Sequence, residues 1–249
     1  VVSAHYDHLG RGWPDARAGF ENQIHPGADD NASGVAVLLE LARIMAEDDA
    51  PPRNVVFLAT SAEEAGLLGA RHYVQADNPY PVDTTLANVN LDTVGRLDDN
   101  NVQVLGSQSA AEWPAIFIDA EEATGITADL LPSGIAASDN AAFAEAGVPA
   151  VQLYGSLTSD YHRPTDTADK VDVAGLVKIA TLTRELVERV MMRAEPMTFV
   201  KSENNAPPAG GSEQRRSVSP ISPLPVQGCG SLTSRPARPP ILRGCRSAM

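Results

Sequence analysis

Five short polar motifs of this 249-residue chain follow apolar runs or lie in turns between predicted elements. The apolar runs are short enough to be buried β-strands, and segments with a helical spacing of apolar residues separate them. In an open α/β sheet, the side chains that carry out chemistry collect at the carboxyl ends of the strands. We therefore expect the motifs to meet at one edge of a sheet. They occupy residues 5–8, 27–31, 61–64, 90–92 and 160–162.

The alternation of strands and helices predicts an α/β three-layer sandwich, in which helices cover both faces of a mainly parallel mixed sheet. The run Val-Val-Phe-Leu-Ala at residues 55–59 is apolar throughout, which favours a central strand covered on both faces. The predicted strands span residues 1–5, 53–60, 86–91, 102–105 and 148–154. The predicted helices span residues 33–47, 66–75, 111–124, 138–146 and 171–192.

We expect one folded domain over residues 1–198 and a disordered tail over residues 199–249. Eight of the 19 prolines lie in the last 49 residues, and such a segment buries too little apolar surface to offset its ordering entropy. Both cysteines, Cys229 and Cys245, belong to this tail, which leaves the domain without a thiol for a disulfide or a metal. Because Val1 stands inside a predicted strand, the amino-terminal part of the domain is expected to be missing.

The formal net charge of −13 argues against nucleic acid and anionic lipid surfaces as partners. No apolar run approaches the roughly 20 residues that a membrane-spanning helix needs, so we expect no membrane span. Neither the charge nor the cysteine content determines the compartment or the oligomeric state.

The motifs supply two imidazoles and three carboxylates as potential metal ligands. Zinc accepts both types of ligand, and five are enough for two ions that share one of them. Each residue has a plainer interpretation by itself, since Asp30 can cap the helix that follows and Asp92 can form a turn. The metal site is excluded only if all five plain interpretations are correct at once. The sequence therefore favours a two-zinc hydrolase.

Two pairs of motif residues have the spacing of a metal ligand and its supporting group. Glu63 and Glu64 are adjacent, so one carboxylate can coordinate zinc while the other faces the water that attacks the substrate. His5 and Asp7 fit a zinc-bound imidazole and the carboxylate that orients it. The other three histidines are interpreted as hydrogen-bonded core or surface residues: His8, His25 and His72.

Together, these motifs resemble those of the co-catalytic zinc aminopeptidases, which are related to bacterial leucyl aminopeptidase and to glutamate carboxypeptidase. The resemblance covers about residues 1–190 and keeps the order of the motifs. It implies that residues 1–198 form a peptidase domain. The matching motifs are His-Tyr-Asp-His-Leu-Gly, Gly-Ala-Asp-Asp-Asn-Ala-Ser-Gly, Ala-Glu-Glu-Ala-Gly-Leu-Leu-Gly-Ala, Asn-Leu-Asp, Ser-Asp-Asn and Tyr-His-Arg-Pro-Thr-Asp-Thr.

The resemblance also implies a role for each motif residue. Asp30 bridges the two zinc ions, and Glu63 is the general base that later returns the proton. Asp7 orients His5, and the peptide bond between Asp30 and Asn31 is expected to be cis. The remaining ligands are His5 and Asp92 for one zinc, and Glu64 and His162 for the other.

Two positions differ from the pattern of the relatives. Some relatives place a tyrosine before the Ser-Asp pair as a hydrogen-bond donor to the transition state, where this chain has Ile135 and Ala136. Asn140 stands where relatives often have a histidine. The residue that stabilises the developing oxyanion is therefore left open between Tyr161 and Tyr154.

The resemblance implies a zinc exopeptidase acting on peptides, and we expect an aminopeptidase. A carboxypeptidase or dipeptidase would use the same ligands together with a basic pocket for a terminal carboxylate. An acyltransferase similar to glutaminyl cyclase would share the fold and bind one zinc. A noncatalytic domain of this fold would have lost ligands, and all five are present. The resemblance further suggests a secreted or periplasmic protein.

Overall fold

A six-stranded sheet forms the centre of the structure, a computed structural model that describes residues 1–48, 51–131 and 138–201. Its strands are β1 (Val2–His5), β2 (Phe57–Thr60), β3 (Asn88–Leu91), β4 (Asn101–Leu105), β5 (Thr127–Leu130) and β6 (Ala150–Tyr154). They lie side by side in the order β2-β1-β3-β6-β4-β5. Every neighbouring pair is parallel except β4 and β6. The mixed, mainly parallel sheet confirms the predicted α/β fold.

Helices cover the sheet on both sides. They are α1 (Gly34–Glu47), α2 (Leu68–Gln75), α3 (Trp113–Thr124), α4 (Asn140–Glu145) and α5 (Val173–Met192). Buried apolar residues of α1, α3 and α5 form the larger core on one face, whereas Phe143 of α4 and Tyr73 of α2 pack on the other. Successive residues of a strand point to opposite faces, so Val151 joins the larger core and Ala150 the smaller one.

The apolar pattern predicted the five helices with their ends within two residues of the observed ones. It did not predict β5. Only Ala128 of that strand is buried, so its sequence lacks an apolar run that would mark a strand.

The predicted position of residues 53–60 as a central strand is wrong. The observed strand β2 begins only at Phe57 and pairs with β1 alone among the described residues, so it forms an edge of the sheet. Phe57 and Leu58 are partly buried and Ala59 is exposed. An apolar run shows that side chains avoid water, but it does not show whether a second strand pairs beside it.

The last described residues return to the body of the chain. Phe199 forms an isolated bridge with Ala110, and the N–H of Val200 donates to the carbonyl of Ser109. The rest of the predicted tail, with both cysteines, lies outside the described residues, as do Ile135 and Ala136. Within the described part of the chain, no helix combines the length and apolar character needed to cross a membrane.

Candidate metal centre

Three neighbouring strands bring the motifs to the carboxyl edge of the sheet. His5 is the last residue of β1 and lies opposite Thr60, the last residue of β2. Asp92 directly follows β3, which pairs with the other side of β1. Because these strands are parallel, His5, Asp92 and the residues after Thr60 arrive at the same edge.

Asp30 and His162 reach this edge from turns. Asp30 lies in the turn Ala28–Ser33 just before α1, where its own backbone is not helical (φ −105°, ψ 95°). The peptide bond between Asp30 and Asn31 is cis, as the resemblance implied. The side-chain amide of Asn31 donates to the carbonyl of Leu91 at 2.9 Å, which holds the turn against the end of β3. His162 lies in the loop after β6.

The structure brings together all five residues that were predicted as metal ligands, in two groups. In the first group, His5 Nε2 lies 3.4 Å from Asp30 Oδ1 and 3.4 Å from Asp92 Oδ1. In the second group, His162 Nε2 lies 3.2 Å from Asp30 Oδ2 and 3.5 Å from Glu64 Oε2. Asp30 therefore offers a different oxygen to each group.

These distances fit two zinc ions that share Asp30. Ligand atoms about 2.0 to 2.2 Å from a tetrahedral zinc lie roughly 3.3 to 3.6 Å from one another, and the four separations above run from 3.2 to 3.5 Å. His5, Asp30, Asp92 and His162 are also buried. Buried carboxylates that face each other need a compensating positive charge, which a cation at each group supplies.

The titration of these groups reflects their mutual attraction. Burial by itself would lower the pKa of His5, but the carboxylates of Asp92, Asp30 and Asp7 outweigh burial and raise it well above its ordinary value. Burial would raise the pKa of Asp30, but His162 and His5 hold it well below its usual range. Burial would likewise lower the pKa of His162, but Asp30 and Glu64 outweigh burial and raise it. A proton and a cation compete for the same imidazole nitrogens, so metal binding would release protons.

Among the described residues, the carboxylate of Glu63 forms no ion pair with a histidine. The pKa of Glu63 is raised to about 9, mainly by burial; His5 opposes this shift, and the carboxylates of Asp92 and Glu64 add to it. Glu63 lines the same cavity as both metal groups. Cations placed beside it would lower this pKa, because a nearby positive charge favours the carboxylate. Glu63 can therefore exchange a proton with a molecule held in the cavity.

Asp7 supports the site through two different atoms. Its backbone carbonyl lies 3.1 Å from His5 Nδ1 and accepts the hydrogen bond that orients the ring. Its carboxylate lies farther from His5 Nδ1, at 3.7 Å, and accepts the backbone N–H of Glu63 at 3.2 Å. Asp7 thus links the end of β1 to the loop after β2.

Three supporting residues were not predicted: Asp29, Arg96 and Asp166. The carboxylate of Asp166 accepts the backbone N–H groups of Asp29 and Asp30 at 3.0 and 3.1 Å. Arg96 Nη1 donates to Asp160 at 2.9 Å, and its other nitrogens lie 3.6 Å from Asp166 and 3.8 Å from Asp29. Asp166 belongs to the matching motif Tyr-His-Arg-Pro-Thr-Asp-Thr and could have been considered, whereas Arg96 lies in no motif.

The two tyrosines left open by the sequence lie in different surroundings. The ring of Tyr161 stacks on that of His162 with a centroid separation of 3.9 Å, and Tyr161 lines the cavity. Tyr154 ends β6 and is not among the residues that line it. Burial, reinforced by neighbouring carboxylates, raises the pKa of both hydroxyls, so both keep their protons at neutral pH.

The cavity over the two groups has a volume of about 300 Å³. No lysine or arginine is among the described residues that line it; its walls include Asp15, Gly66 and Leu67. Hollows of about 360 and 390 Å³ lie elsewhere and are mainly apolar, and neither is lined by any of the five proposed ligands. The smaller, polar cavity is therefore the candidate active site.

Comparisons with known proteins show the family of the chain. A family model described as Peptidase family M28 matches residues 1–187. Aminopeptidase YwaD from Bacillus subtilis is 30% identical over 211 residues, a match that covers 80% of this chain and 43% of the relative. A probable leucine aminopeptidase from Arthroderma otae is 31% identical over 203 residues, covering 73% of this chain and 51% of the relative. The chain thus spans about half the length of these relatives.

Solved structures share the fold. BSAP, a zinc aminopeptidase from Bacillus subtilis, has a TM-score of 0.63 and 27% identity, and the match covers 77% of this chain and 46% of that protein. A glutaminyl cyclase from Porphyromonas gingivalis has a TM-score of 0.61 and 20% identity, covering 76% of this chain and 72% of the cyclase. The likeness to the cyclase shows the shared fold alone.

Proposed function

Because the chain belongs to peptidase family M28, we propose that the protein is a zinc-dependent aminopeptidase that removes the first residue of peptides. The observation that carries this proposal is the placement of Asp30, whose two oxygens face two separate groups of imidazole and carboxylate ligands. Glu63 stands beside these groups in the same cavity. The similarity to aminopeptidases from two organisms supports the same activity.

We propose two zinc ions per chain. His5, Asp30 and Asp92 would hold the first, and Asp30, Glu64 and His162 would hold the second. Zinc supplies positive charge that polarises the scissile carbonyl and makes a water acidic enough to react near neutral pH.

The residues of the chain move the proton. Glu63 takes the proton of the attacking water, whose oxygen bonds to the carbonyl carbon. The bond between this carbon and the amide nitrogen then breaks, and Glu63 returns the proton to the leaving nitrogen. The Tyr161 hydroxyl keeps its proton and lies at the cavity wall, so it is proposed to donate a hydrogen bond to the developing oxyanion.

The charge of the cavity favours an amino end over a carboxyl end. The exposed carboxylate of Asp15 lies at its wall, and no lysine or arginine is among the described wall residues. A free α-ammonium group can therefore pair with Asp15, whereas the described wall offers no lysine or arginine to pair with a terminal carboxylate. Arg17 is the cation to consider for a carboxypeptidase, because its guanidinium lies 5.2 Å from the centre of the Tyr161 ring, but it does not line the cavity.

The test combines zinc analysis of the full-length protein with a panel of chromogenic aminoacyl substrates and matched peptides. We expect two zinc ions per chain, cleavage of peptides with a free amino end, and no cleavage once that end is acetylated. Cleavage that instead requires a free carboxyl end would replace the proposal by a carboxypeptidase. One zinc per chain with cyclisation of amino-terminal glutamine would replace it by the acyltransferase alternative.

We also propose that the full-length protein is exported. The resemblance to secreted or periplasmic peptidases supports this location, and the acidic composition agrees with it. Fractionation of producing cells tests it: the activity is expected in the medium or periplasm, and activity confined to the cytoplasm contradicts it.

A further inference from the structure

His8 belongs to none of the ligand sets given above, yet its ring lies against the second metal group. His8 Nδ1 is 3.0 Å from Glu64 Oε1 and 3.8 Å from Asp30 Oδ1, and the ring centre is 5.9 Å from that of His162. Its side chain is almost fully buried. No local pattern separates His8 from an ordinary core histidine, because its partner Glu64 lies 56 residues away in the chain.

His8, Asp30 and Glu64 lie close enough together to hold a cation, but two observations favour a hydrogen-bond donor over a further zinc ligand. The 3.0 Å separation between His8 Nδ1 and Glu64 Oε1 is a normal hydrogen-bond length. The separations within the two ligand groups are longer, from 3.2 to 3.5 Å. His8 also contacts Oε1 of Glu64, whereas His162 faces Oε2. The two oxygens of Glu64 therefore have different neighbours.

The tautomer of His8 follows from the same contacts. An ionised carboxylate only accepts hydrogen bonds, so the proton must sit on Nδ1. Nε2 is buried and has no hydrogen-bond partner among the described residues, so the neutral ring that satisfies these contacts carries its proton on Nδ1. The opposite tautomer would bury an N–H without an acceptor and would set two lone pairs against each other.

Gly27 leaves the room that the ring of His8 occupies. A Cβ atom at residue 27 would lie 2.5 Å from His8 Cγ and 2.5 Å from the backbone oxygen of Asp30. Its φ of +66° also belongs to the left-handed region that favours glycine. The turn that carries the bridging Asp30 and the ring of His8 are thus packed directly on each other.

We propose that His8 is a positioning residue for Glu64. By holding Oε1, the Nδ1–H of His8 turns Oε2 toward the second zinc and limits the rotation of the carboxylate. The proposal rests on the di-zinc centre of the proposed function. It predicts that the second zinc affinity changes more than the first. His8 Nδ1 lies within hydrogen-bond distance of Glu64, whereas Asp30 Oδ1, the oxygen that faces the first group, is 3.8 Å away. Among the described residues, His8 has no hydrogen bond to His5 or Asp92.

The experiment measures both zinc dissociation constants on metal-free, full-length protein by competition with a chromogenic chelator. His162→Ala, which removes a proposed ligand, first identifies the second zinc. We expect His8→Leu to weaken this same zinc by about 10- to 100-fold, as loss of a supporting hydrogen bond commonly does, and to change the other zinc by less than about threefold. His8→Asn, whose side-chain amide can donate from nearly the same position as Nδ1, should restore the affinity to within about threefold of wild type.

His25→Leu is the matched control, because His25 is also buried and its ring lies 6.4 Å from that of His8. Its Nδ1 lies 3.0 Å from the carbonyl of Gln23, and among the described residues it has no hydrogen bond to a proposed ligand. It should leave both zinc affinities within about threefold. If His8→Leu does not fold, His8→Met fills the same space with a more adaptable side chain. Unchanged zinc affinity in the apolar variant overturns the proposal, as does equal weakening of both ions or a lack of rescue by asparagine.

The result also separates this proposal from the proposed function. If wild type binds two zinc ions but cleaves no peptide, the activity is wrong and the effect of His8 on the second zinc still stands. If wild type binds no zinc, or only one, the role of His8 is overturned together with the di-zinc centre.

Discussion

The two metal groups differ in what carries their side chains. In the first group, His5 ends β1 and Asp92 directly follows β3, so two paired strands of the sheet set their separation. In the second group, Glu64 stands four residues beyond the end of β2, and His162 eight residues beyond the end of β6. We call these the strand-borne group and the loop-borne group. Asp30 is common to both.

Loops lack the backbone hydrogen bonds between paired strands, so side-chain contacts must hold them in place. His8 holds Glu64, and the loop of His162 is tied to its neighbours through Asp160, Arg96 and Asp166. His162 itself has a φ of +57°, a backbone conformation that costs energy in a residue other than glycine. The loop-borne group is thus the part of the site that a single substitution can change while the sheet stays intact.

The largest expected effect comes from a residue that belongs to neither group. Glu63→Gln removes the proposed proton carrier and should lower kcat by about 10²- to 10⁴-fold. Because no proposed ligand is lost, both zinc ions should still bind. Steady-state kinetics together with zinc analysis checks this. A variant that retains wild-type kcat would show that Glu63 is not the base, and a variant that loses zinc would place it among the ligands.

A pair of tyrosine variants compares a loop with a strand directly. Tyr161, in the loop of His162, lines the cavity, whereas Tyr154 ends β6 and does not. Tyr161→Phe should lower kcat by about 10- to 100-fold, with a smaller change in KM, because loss of an oxyanion donor affects the transition state most. Tyr154→Phe should change kcat by less than about threefold. A larger loss of kcat in Tyr154→Phe than in Tyr161→Phe would make Tyr154 the hydrogen-bond donor to the oxyanion.

Asp166→Asn tests how far the bridging residue depends on loop contacts. The asparagine has one acceptor oxygen and no charge, so it cannot receive the backbone N–H groups of Asp29 and Asp30 equally well. We expect zinc affinity to fall by about 10- to 100-fold at the loop-borne group. A smaller loss is expected at the strand-borne group, whose other ligands are set by the sheet. Chelator competition measures both.

Asp169→Asn is a suitable control, since this exposed carboxylate lies only three residues further along the chain. It should leave both zinc affinities unchanged. Equal losses at both groups in Asp166→Asn would mean that Asp30 dominates both, and that the distinction between strands and loops does not govern affinity.

The same distinction explains what could be predicted from the sequence. The strand-borne residues were predictable because apolar runs locate the strands, and parallel strands end at the same edge. The ligands on loops came from the motif resemblance, since neither Glu64 nor His162 lies in a regular element. The fold class and the helices followed from apolar periodicity.

The parts that were missed depend on distant contacts. The edge position of β2 is a property of strand order, and a local run of apolar residues does not encode that order. The support that Asp166 gives to Asp30 spans 136 residues, and that of His8 to Glu64 spans 56. Hydrogen bonds over such separations become visible only once the loops are placed in space.

The smallest expected effect concerns the stability of the metal-free protein. Burial raises the pKa of Glu63 to about 9, from an ordinary value of 4.5. Between these values the folded state binds more protons at Glu63 than the unfolded state does, so stability falls as pH rises. The contribution of Glu63 is fully present below about pH 4.5 and is lost as the pH approaches 9.

Urea unfolding of metal-free wild type and of Glu63→Gln isolates this contribution. Because the glutamine does not titrate, wild type should lose about 1 to 3 kcal/mol more unfolding free energy between roughly pH 5 and pH 8 than the variant does. With zinc bound, the cations favour the carboxylate and the difference should shrink. Equal slopes in the metal-free proteins would mean that Glu63 is already ionised there. Its burial beside the two ligand groups would then not raise its pKa.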